Sequence, residues 1–471
     1  MPSTRSVSSV IIFTAVASIL SISSAEAAES IKYAPNGSRI IITDLGLLPK
    51  GSASNGLAIN NQPIVVGLAT DTDFDMQRPF WDANTGAIVG MAENMNPAST
   101  AIPEHVNDSR EMAGSEVYGD NVYQGVYWNS AGQAFALPAM AGVEPFYGGL
   151  HTRAHGINNL GQLVGTGKEA APNFYTHAVL WPTKDTGAID LGFLGQGTPL
   201  NYSEAHGVND LSHVVGNSAV GTLIRGFLWR NGQMIGLGAL SGQVVSEAYA
   251  ISNTGYIAGK SNIYPVTWRY DTANPNSTPT ISQLPIPSGF FAATPTAVNN
   301  SGDLAGYAGS PNVDSHAILW RNGIAIDLGV WPGGHYSVAR GINNRGQIIG
   351  TGTVAGDNLD HALMWTVDDG TVSVVPGADS PTILTGVHPN PSNALTTISF
   401  ALKREGRVKI GVYDLTGRRL NVLSDHEFAA GPHTLNWNGR DSQGGVMRSG
   451  IYVVRLESES RVESRKVTLV R

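Results

Sequence analysis

The sequence predicts an all-β protein, a seven-bladed β-propeller followed by a small immunoglobulin-like β-sandwich. A ten-residue motif recurs seven times, seven of the nine tryptophans share one column of that repeat, and short alternating segments follow residue 386. The chain has 471 residues, beyond the ~250–300 at which single cores stop growing, so we expect at least two units. With 56 glycines and only 14% charged residues, many short strands joined by tight turns are favoured over disorder.

Residues 1–27 have the pattern of a secretory signal peptide. Arg5 supplies the positive charge, residues 10–20 the apolar core, and Ala25-Glu26-Ala27 a cleavage site of the A-x-A type. An uncleaved membrane anchor is the alternative. No later stretch reaches the ~18 apolar residues of a membrane-spanning helix, so we expect no transmembrane segment after cleavage.

The composition excludes several classes of site. The chain contains no cysteine, so disulfides, thiolate metal sites and cysteine nucleophiles are excluded, and we expect no cofactor. The net charge of −8 is uneven: residues 387–471 carry 13 Lys and Arg against 8 Asp and Glu (+5), and the remainder 16 against 29 (−13). An acidic body argues against a nucleic-acid partner, because that binding depends on basic side chains that neutralise phosphates.

The recurring motif is clearest at residues 156–165, which read GINNLGQLVG. Its other copies lie at residues 58–67, 105–114, 207–216, 250–259, 297–306 and 341–350. The first polar residues of the copies are at positions 60, 107, 158, 209, 252, 299 and 343, so the gaps run from 43 to 51 residues. A repeat of this length is typical of propeller blades.

A second motif follows each copy of the first and ends in tryptophan, as in the HAVLW sequence of residues 177–181. The tryptophan column comprises Trp81, Trp128, Trp181, Trp229, Trp268, Trp320 and Trp365. We expect these rings to fill the space between adjacent blades. Stacking of one or two of them on carbohydrate is the alternative.

Each copy predicts four strands. The first surrounds Ile157, and the second runs over residues 162–165 after a turn at 158–161. The third covers residues 177–181, and the fourth is represented by residues 324–328. Asn and Gly in the turn suit a bulged hairpin, because both tolerate left-handed backbone geometry.

One glycine ends the second strand of every copy. These residues are Gly67, Gly114, Gly165, Gly216, Gly259, Gly306 and Gly350. We expect a side chain there to obstruct a neighbouring blade or a bend, since glycines within strands mark close backbone approach. By contrast, Pro63, Arg110 and Ser212 replace the turn glycine in three copies, and we expect a different turn geometry there.

Residues 39–45 resemble an additional fourth strand ahead of the first complete copy. This segment is expected to pair with the last blade and lock the ring, which would satisfy two exposed edges. Alternatively, it forms half a blade with residues 31–34. Seven blades is the prediction and eight the alternative.

The GINNxGQxxG element followed by HAxLW resembles the HAF-type extracellular repeat family over residues 39–377. The resemblance implies export and a propeller-like fold but no defined reaction. We therefore expect the propeller to occupy residues 28–375.

The end of the chain has a different pattern. Residues 376–391 are rich in Pro, Gly, Ser and Thr, which predicts a linker at 376–386 ahead of a module at 387–471. Alternating segments at 396–400, 408–414, 434–437, 450–456 and 465–470 predict an immunoglobulin-like sandwich.

The terminal module also carries a resemblance. The HPNP sequence at 388–391 and residues 412–418 and 450–456 resemble C-terminal sorting domains of type IX secretion. Residues 437–441 resemble the FlgD-like immunoglobulin module of exported bacterial proteins. The sorting resemblance implies export to the outer surface of a Gram-negative bacterium, secretion and sortase machinery as partners, and removal of the module by a sortase. A passive terminal sandwich is the alternative.

Three groups of residues are candidates for chemistry. Asp71, Asp73 and Asp75 have the D-x-D-x-D spacing of calcium loops but lack the glycine and glutamate that complete such loops, so a solvated acidic loop is favoured. His177, His316 and His361 occupy equivalent positions in different copies, so a repeated hydrogen bond explains them better than a metal. The third group is a variable column that comprises Leu57, Glu104, His155, His206, Tyr249, Thr296 and Arg340.

Within that column, Glu104, His155, His206, Tyr249 and Arg340 are the candidate ligand-binding residues. Two function classes follow, and a non-enzymatic surface protein that binds glycan or protein is preferred. An enzyme that cleaves extracellular polysaccharide or peptide in the propeller funnel is the alternative, supported only by analogy of fold. An enzyme requires carboxylates or histidines that converge on the funnel, whereas a binding protein is expected to expose aromatic rings there. No Gly-x-Ser-x-Gly, phosphate-loop or His-Glu-x-x-His pattern is present.

Overall fold

The computed structural model describes most of the chain outside its first 27 residues. The described residues are 28–34, 38–73, 75–96, 99–118, 122–140, 152–168, 175–195, 201–274, 276–311, 313–356, 359–368, 383–388, 396–402, 405–414, 417–428, 431–458 and 461–470. The predicted signal peptide and residues 376–382 of the predicted linker lie outside them.

The described residues form 37 strands and no helix, and every pair of adjacent strands is antiparallel. No helix in this part of the chain could therefore cross a bilayer. Strands β1 to β30 form seven sheets of four or five strands, and β31 to β37 form two more. The prediction of an all-β protein is confirmed.

Six of the seven sheets each consist of strands that follow one another in sequence. Sheet 1 contains β3 (Ser54–Ile59), β4 (Ile64–Thr70), β5 (Met76–Gln77), β6 (Pro79–Asp82) and β7 (Ile88–Met91). Sheet 2 contains β8 (Thr100–Val106), β9 (Met112–Tyr118), β10 (Val122–Trp128) and β11 (Ala134–Ala136). Sheet 3 contains β12 (Arg153–Ile157), β13 (Leu163–Lys168), β14 (Thr176–Trp181) and β15 (Ile189–Asp190).

The next three sheets repeat this order. Sheet 4 contains β16 (Ser203–Val208), β17 (Val214–Val220), β18 (Leu223–Arg230) and β19 (Gln233–Gly236). Sheet 5 contains β20 (Glu247–Ile251), β21 (Tyr256–Ser261), β22 (Tyr264–Arg269) and β23 (Thr280–Gln283). Sheet 6 contains β24 (Ala292–Val298), β25 (Leu304–Ser310), β26 (Val313–Arg321) and β27 (Ile324–Gly329).

Sheet 7 combines the two ends of the repeat region. It contains β1 (Ala28–Tyr33), β2 (Arg39–Asp44), β28 (Ser337–Ile342), β29 (Ile348–Thr353) and β30 (Asp360–Asp368). Strand β2 pairs with β30, and β1 pairs with the outer edge of β2. Both N-terminal segments thus belong to the sheet of the last copy.

The tryptophan column lies in the cores between sheets. Six of its seven rings are fully buried, and Trp229 is partly buried. Trp181 packs in a cluster with Leu137 of the segment after sheet 2, and Trp81 of sheet 1 packs with Ile349 of sheet 7. Each of the seven clusters in this region joins two successive sheets in this way.

The glycine predicted to end each second strand lies inside that strand instead, as Gly165 does in β13, and a β-bulge in the facing first strand requires it. A Cβ at Gly165 would lie 1.9 Å from the backbone oxygen of Arg153 in the first strand of the same sheet. The corresponding distance at the other six glycines runs from 1.8 to 2.1 Å, far inside van der Waals contact. The obstruction therefore comes from the bend in the glycine's own sheet, and the alternative of a neighbouring blade is wrong.

The turns that lack glycine keep the common geometry at two of three positions. Arg110 (φ 63°) and Ser212 (φ 60°) adopt the left-handed conformation that Gly161 adopts (φ 75°). Their backbone N–H groups donate to the first polar residue of the turn, as that of Gly161 does. The expectation of different geometry was wrong for these two turns. Pro63 has no N–H group to donate.

The C-terminal strands form two antiparallel sheets around one core. One sheet contains β31 (Ile383–His388), β32 (Thr396–Leu402) and β35 (Gly431–Trp437). The other contains β33 (Gly406–Tyr413), β34 (Arg419–Phe428), β36 (Gly450–Ser458) and β37 (Arg461–Leu469). Phe400 and Trp437 of the first sheet pack with Val412 and Leu456 of the second. Strand β31 begins inside the segment predicted as linker, and β34 was not predicted.

Candidate functional site

The variable column coincides with the bulges. In all seven sheets, the register of the first strand shifts by one residue, at the position that the repeat aligns with His155. The seven extra residues are Leu57, Glu104, His155, His206, Tyr249, Thr296 and Arg340, and all of them line one cavity of about 460 Å³. A bulge changes the direction of a side chain, so the structure brings together all five predicted ligand-binding residues.

One end of the cavity is lined by the seven turns that follow the first strands. The side-chain amide of Asn158 donates to the backbone oxygen of Asn209 in the next turn, 2.9 Å away, and Asn343 donates to Asn60 at 3.0 Å. The second residues of the turns form a further set, in which the backbone N–H of each donates to the side-chain oxygen of the next. These bonds run 61→108→159→210→253→300→344→61.

His155 lies between two carboxylates. Its Nδ1 is 2.8 Å from Glu104 Oε2, and its Nε2 is 3.2 Å from Glu204 Oε1. Burial alone would lower the pKa of His155, but the two carboxylates raise it to about 10. Burial also opposes the ionisation of Glu204, yet contact with His155 lowers the pKa of Glu204 to about 2. At neutral pH, the histidine is a cation held by two anions.

His206 is neutral, in contrast to His155. Burial lowers the pKa of His206 to about 4, against the opposing charge of Glu204. The side-chain oxygen of Asn217 accepts from the Ala248 backbone N–H at 2.9 Å, which places the Asn217 amide nitrogen 2.9 Å from His206 Nε2. Since that nitrogen can only donate, Nε2 is the acceptor and the imidazole proton is on Nδ1.

Two further acids, Glu204 and Glu247, lie two residues before the bulge residues of sheets 4 and 5. They were not predicted as site residues from the sequence. Glu204 contacts His155, and Glu247 accepts from the Tyr249 hydroxyl at 2.6 Å and pairs with Lys260 at 3.2 Å. Burial and Glu247 raise the pKa of Tyr249. Only the position of these acids in the sequence could have revealed them, because residues i and i−2 of a strand lie on the same face.

His177, His316 and His361 lie away from the cavity and form the repeated hydrogen bond that was predicted. Each histidine Nδ1 lies 2.8–3.0 Å from an aspartate in the fourth strand of its own sheet. The pairs are His177 with Asp190 of β15, His316 with Asp327 of β27 and His361 with Asp44 of β2. A serine completes each unit. Ser203 donates to the Gly192 backbone oxygen at 2.6 Å and accepts from the Ala178 N–H at 2.8 Å, so it joins sheet 3 to sheet 4.

The acidic loop lies between β4 and β5. Asp71 accepts hydrogen bonds from the backbone N–H groups of Asp73 and Asp75, both at 3.0 Å, and from the Gln77 side chain at 2.7 Å. The hydrogen bond from Asp73 is the largest cause that lowers the pKa of Asp71. Among the described residues, no group of three or more histidine, aspartate or glutamate side chains is placed to hold a metal ion.

Comparison with known proteins identifies the end of the chain. Residues 386–470 match the family model described as the secretion system C-terminal sorting domain. The chain carries a type IX sorting domain. Such a domain indicates interaction with the secretion machinery and export to the cell surface or outer membrane of a Gram-negative bacterium. No curated protein sequence matches this chain.

Solved structures resemble the chain only weakly. PorZ, a surface component of the type IX secretion system of Porphyromonas gingivalis, is 12% identical, with 94% of this chain and 74% of PorZ covered and a TM-score of 0.22. A puromycin-hydrolysing peptidase of Mycobacterium tuberculosis is 12% identical, with coverages of 74% and 57% and a TM-score of 0.40. AofleA of Arthrobotrys oligospora, in a mutant form, is 14% identical, with coverages of 63% and 91% and a TM-score of 0.32.

Proposed function

We propose that this chain is a surface protein delivered by type IX secretion, whose repeats form a seven-bladed β-propeller that binds a glycan or protein ligand in its central cavity. The observation that carries the proposal is the variable column. Seven residues of six different types, at equivalent bulges, face one cavity, whereas the bulge glycine recurs in every sheet. Variable residues that line a cavity of a repeated scaffold are the pattern of a ligand site.

The proposed ring of sheets is supported by a closed series of hydrogen bonds between neighbouring turns. The hydrogen bonds between turns pass through all seven sheets and end at Asn61, where they began. The cores follow the same order, and β2 supplies sheet 7 with a fourth strand from the start of the chain. This is the arrangement that lets a propeller avoid open sheet edges between its first and last blades. The series contains seven turns, one for each sheet, so the alternative of eight blades would require an eighth turn in it.

The acidic and basic groups at the cavity favour an enzymatic alternative, since Glu104 and His155 line it and Glu204 contacts His155. Acid–base catalysis works best with a group whose pKa lies near the working pH. The two histidines have pKa values of about 10 and about 4 instead, and Glu204 is about 2. We propose binding rather than catalysis for this reason, although the cavity also meets the expectation for an enzyme, because carboxylates and histidines line it.

A glycan array with the mature chain tests the proposal. Leu57→Trp introduces a large ring into the cavity wall, and we expect it to abolish any binding that the unmodified chain shows. Leu160→Trp is the matched control, because Leu160 is 63% exposed on a turn and does not line the cavity. Both variants should keep the unmodified melting temperature. Binding that survives Leu57→Trp would place the ligand elsewhere.

We also propose that the module from Ile383 onward is a separate immunoglobulin-like unit that acts as the sorting signal for export. Its two sheets share a core of their own, and the sorting-domain match covers nearly all of it. The predicted propeller at residues 28–375 then ends before the module begins.

A further inference from the structure

Arg340 is the bulge residue of sheet 7, and its side chain is exposed at the cavity. Among the described residues, its guanidinium makes no hydrogen bond or ion pair, although it acts electrostatically on the nearby Tyr336 phenol. The bulge residues on either side of it, Leu57 and Thr296, carry no charge. The Arg340 guanidinium therefore lines the cavity without an ion-pair partner among the described residues.

The acids of the cavity have partners of their own. Glu104 binds His155. Asp108 accepts from the backbone and side-chain amides of Asn61 at 2.8 and 3.0 Å, and Asp210 accepts in the same way from Asn159. These bonds hold the carboxylates in the turns and beside His155, and none of these carboxylates is hydrogen-bonded to or ion-paired with Arg340.

The wall across the cavity supplies a neutral donor. The turn contacts place the seven sheets in a continuous order. In that order, sheets 5 and 6 lie between sheets 4 and 7 on one side, and sheets 1 to 3 lie between them on the other. His206 of sheet 4 carries its proton on Nδ1, because Asn217 donates to Nε2. A ligand between the two walls would meet a guanidinium on one side and an imidazole N–H on the other.

We infer that the ligand of this cavity carries a compact carboxylate, which the Arg340 guanidinium binds through paired N–H groups. The inference rests on the proposed function and adds the chemical class of the ligand. Guanidinium is the side chain best matched to a carboxylate, since its planar donors meet both oxygens at once. At about 460 Å³, the cavity accommodates one sugar acid or the carboxyl end of a peptide.

Two matched pairs of probes test the inference by titration calorimetry on the mature chain. Glucuronate and glucose differ in one carboxylate, as do N-acetylglycine and its amide. We expect at least one acid to bind about tenfold or more tightly than its neutral partner, the usual contribution of a hydrogen-bonded charge. Preference for glucuronate indicates an acidic sugar, and preference for N-acetylglycine a peptide terminus.

Variants assign the effect to Arg340. Arg340→Gln should remove the preference for the acid, and Arg340→Lys should restore part of it, because lysine keeps the charge but not the paired geometry. Arg345→Gln is the matched control: Arg345 is an exposed residue of the same sheet's turn that does not line the cavity. It should leave both affinities unchanged.

Three results would overturn the inference. They are equal affinity for acid and neutral partner, a preference that survives Arg340→Gln, and failure of all four probes to bind at millimolar concentrations. In the first case the cavity still binds, so the proposed function stands. In the other two, the Leu57→Trp glycan-array experiment decides whether the proposed function fails as well.

Discussion

The Asn343 side-chain amide donates to the backbone oxygen of Asn60 at 3.0 Å, although 283 residues separate the two in sequence. The same bond joins neighbouring turns, as from Asn60 to Asn107 at 2.8 Å. Six of the seven neighbouring pairs of turns thus share one contact, and it joins the last copy of the repeat to the first. The paired contact from the Asn344 N–H to Asn61 Oδ1 at 2.8 Å repeats this relationship one residue later.

Asn343→Ala should lower the free energy of unfolding by about 1–3 kcal/mol, because it leaves the buried Asn60 oxygen without its donor. Ser252 is the one position of this series that lacks an amide. Ser252→Asn should therefore add the missing bond and raise stability by about 1 kcal/mol. Urea unfolding curves measure both changes. Two variants as stable as the unmodified chain would show that the turn contacts contribute nothing.

Trp181→Ala or Trp320→Ala should lower the free energy of unfolding by about 3–5 kcal/mol, the cost of truncating a buried aromatic ring. Both rings are buried between sheets, and their indole N–H groups donate to backbone oxygens of Pro138 and Pro285. Trp229→Ala is the control, since its ring is only partly buried. Melting curves identical to that of the unmodified chain would disprove the packing between blades.

Gly216→Ala should destabilise the fold by about 3 kcal/mol or more, because relief of so short a contact requires movement of the backbone. The new Cβ would lie 1.9 Å from the Glu204 backbone oxygen. Gly207→Ala in the same sheet is the control. Its Cβ would make only ordinary contacts, from 3.4 Å, so stability should change by less than about 1 kcal/mol. Thermal melting of the two proteins makes the comparison.

The charge on His155 predicts a pH dependence of stability. Its pKa is raised from 6.5 to about 10, so its contribution is fully present below pH 6.5 and is lost as the pH rises towards 10. The difference in unfolding free energy between the unmodified chain and His155→Gln should therefore shrink over that range. A constant difference from pH 6.5 to 10 would contradict the ion-pair assignment.

His206 predicts the opposite slope in acid. Its pKa is lowered from 6.5 to about 4, so the unfolded chain takes up a proton first, and stability falls as the pH drops through that window. This slope should persist in the His155→Gln variant because burial is the largest cause of the shift, but it should be smaller, since the His155 charge also lowers the pKa of His206.

Deletion of residues 383–471 should trap the protein in the periplasm of a host with type IX secretion, because the sorting domain is removed. The truncated protein should retain the melting transition of the repeat region. Normal amounts at the cell surface would support a passive terminal sandwich instead.

Limited proteolysis of the full chain provides the control for that deletion. The first cuts should fall between residues 376 and 382, where Pro, Gly and Ser favour exposed backbone. First cuts within the seven sheets would show that the proposed boundary is misplaced.

The sequence by itself determined the number of copies, the four strands in most of them, the buried tryptophan column and the positions of the bulge glycines. It also placed His155 and His206 in one column with Arg340. The tryptophans and the bulge glycines recur once in each copy, because a structural requirement that recurs in every copy leaves the same residue type at each position.

Only the tertiary structure decided which charged side chains of the cavity contact each other. Glu204 reaches His155 from a different sheet, and Asn217 sets the proton position on His206 from the second strand of its own sheet. It also decided that Arg110 adopts left-handed geometry, whereas the pairing of residues 39–45 with the last copy had been predicted. These charged contacts of the cavity occur once each, unlike the repeated contacts between turns, and the energy of an ion pair depends on distance and burial. The charged states of the cavity therefore became evident only from the folded arrangement.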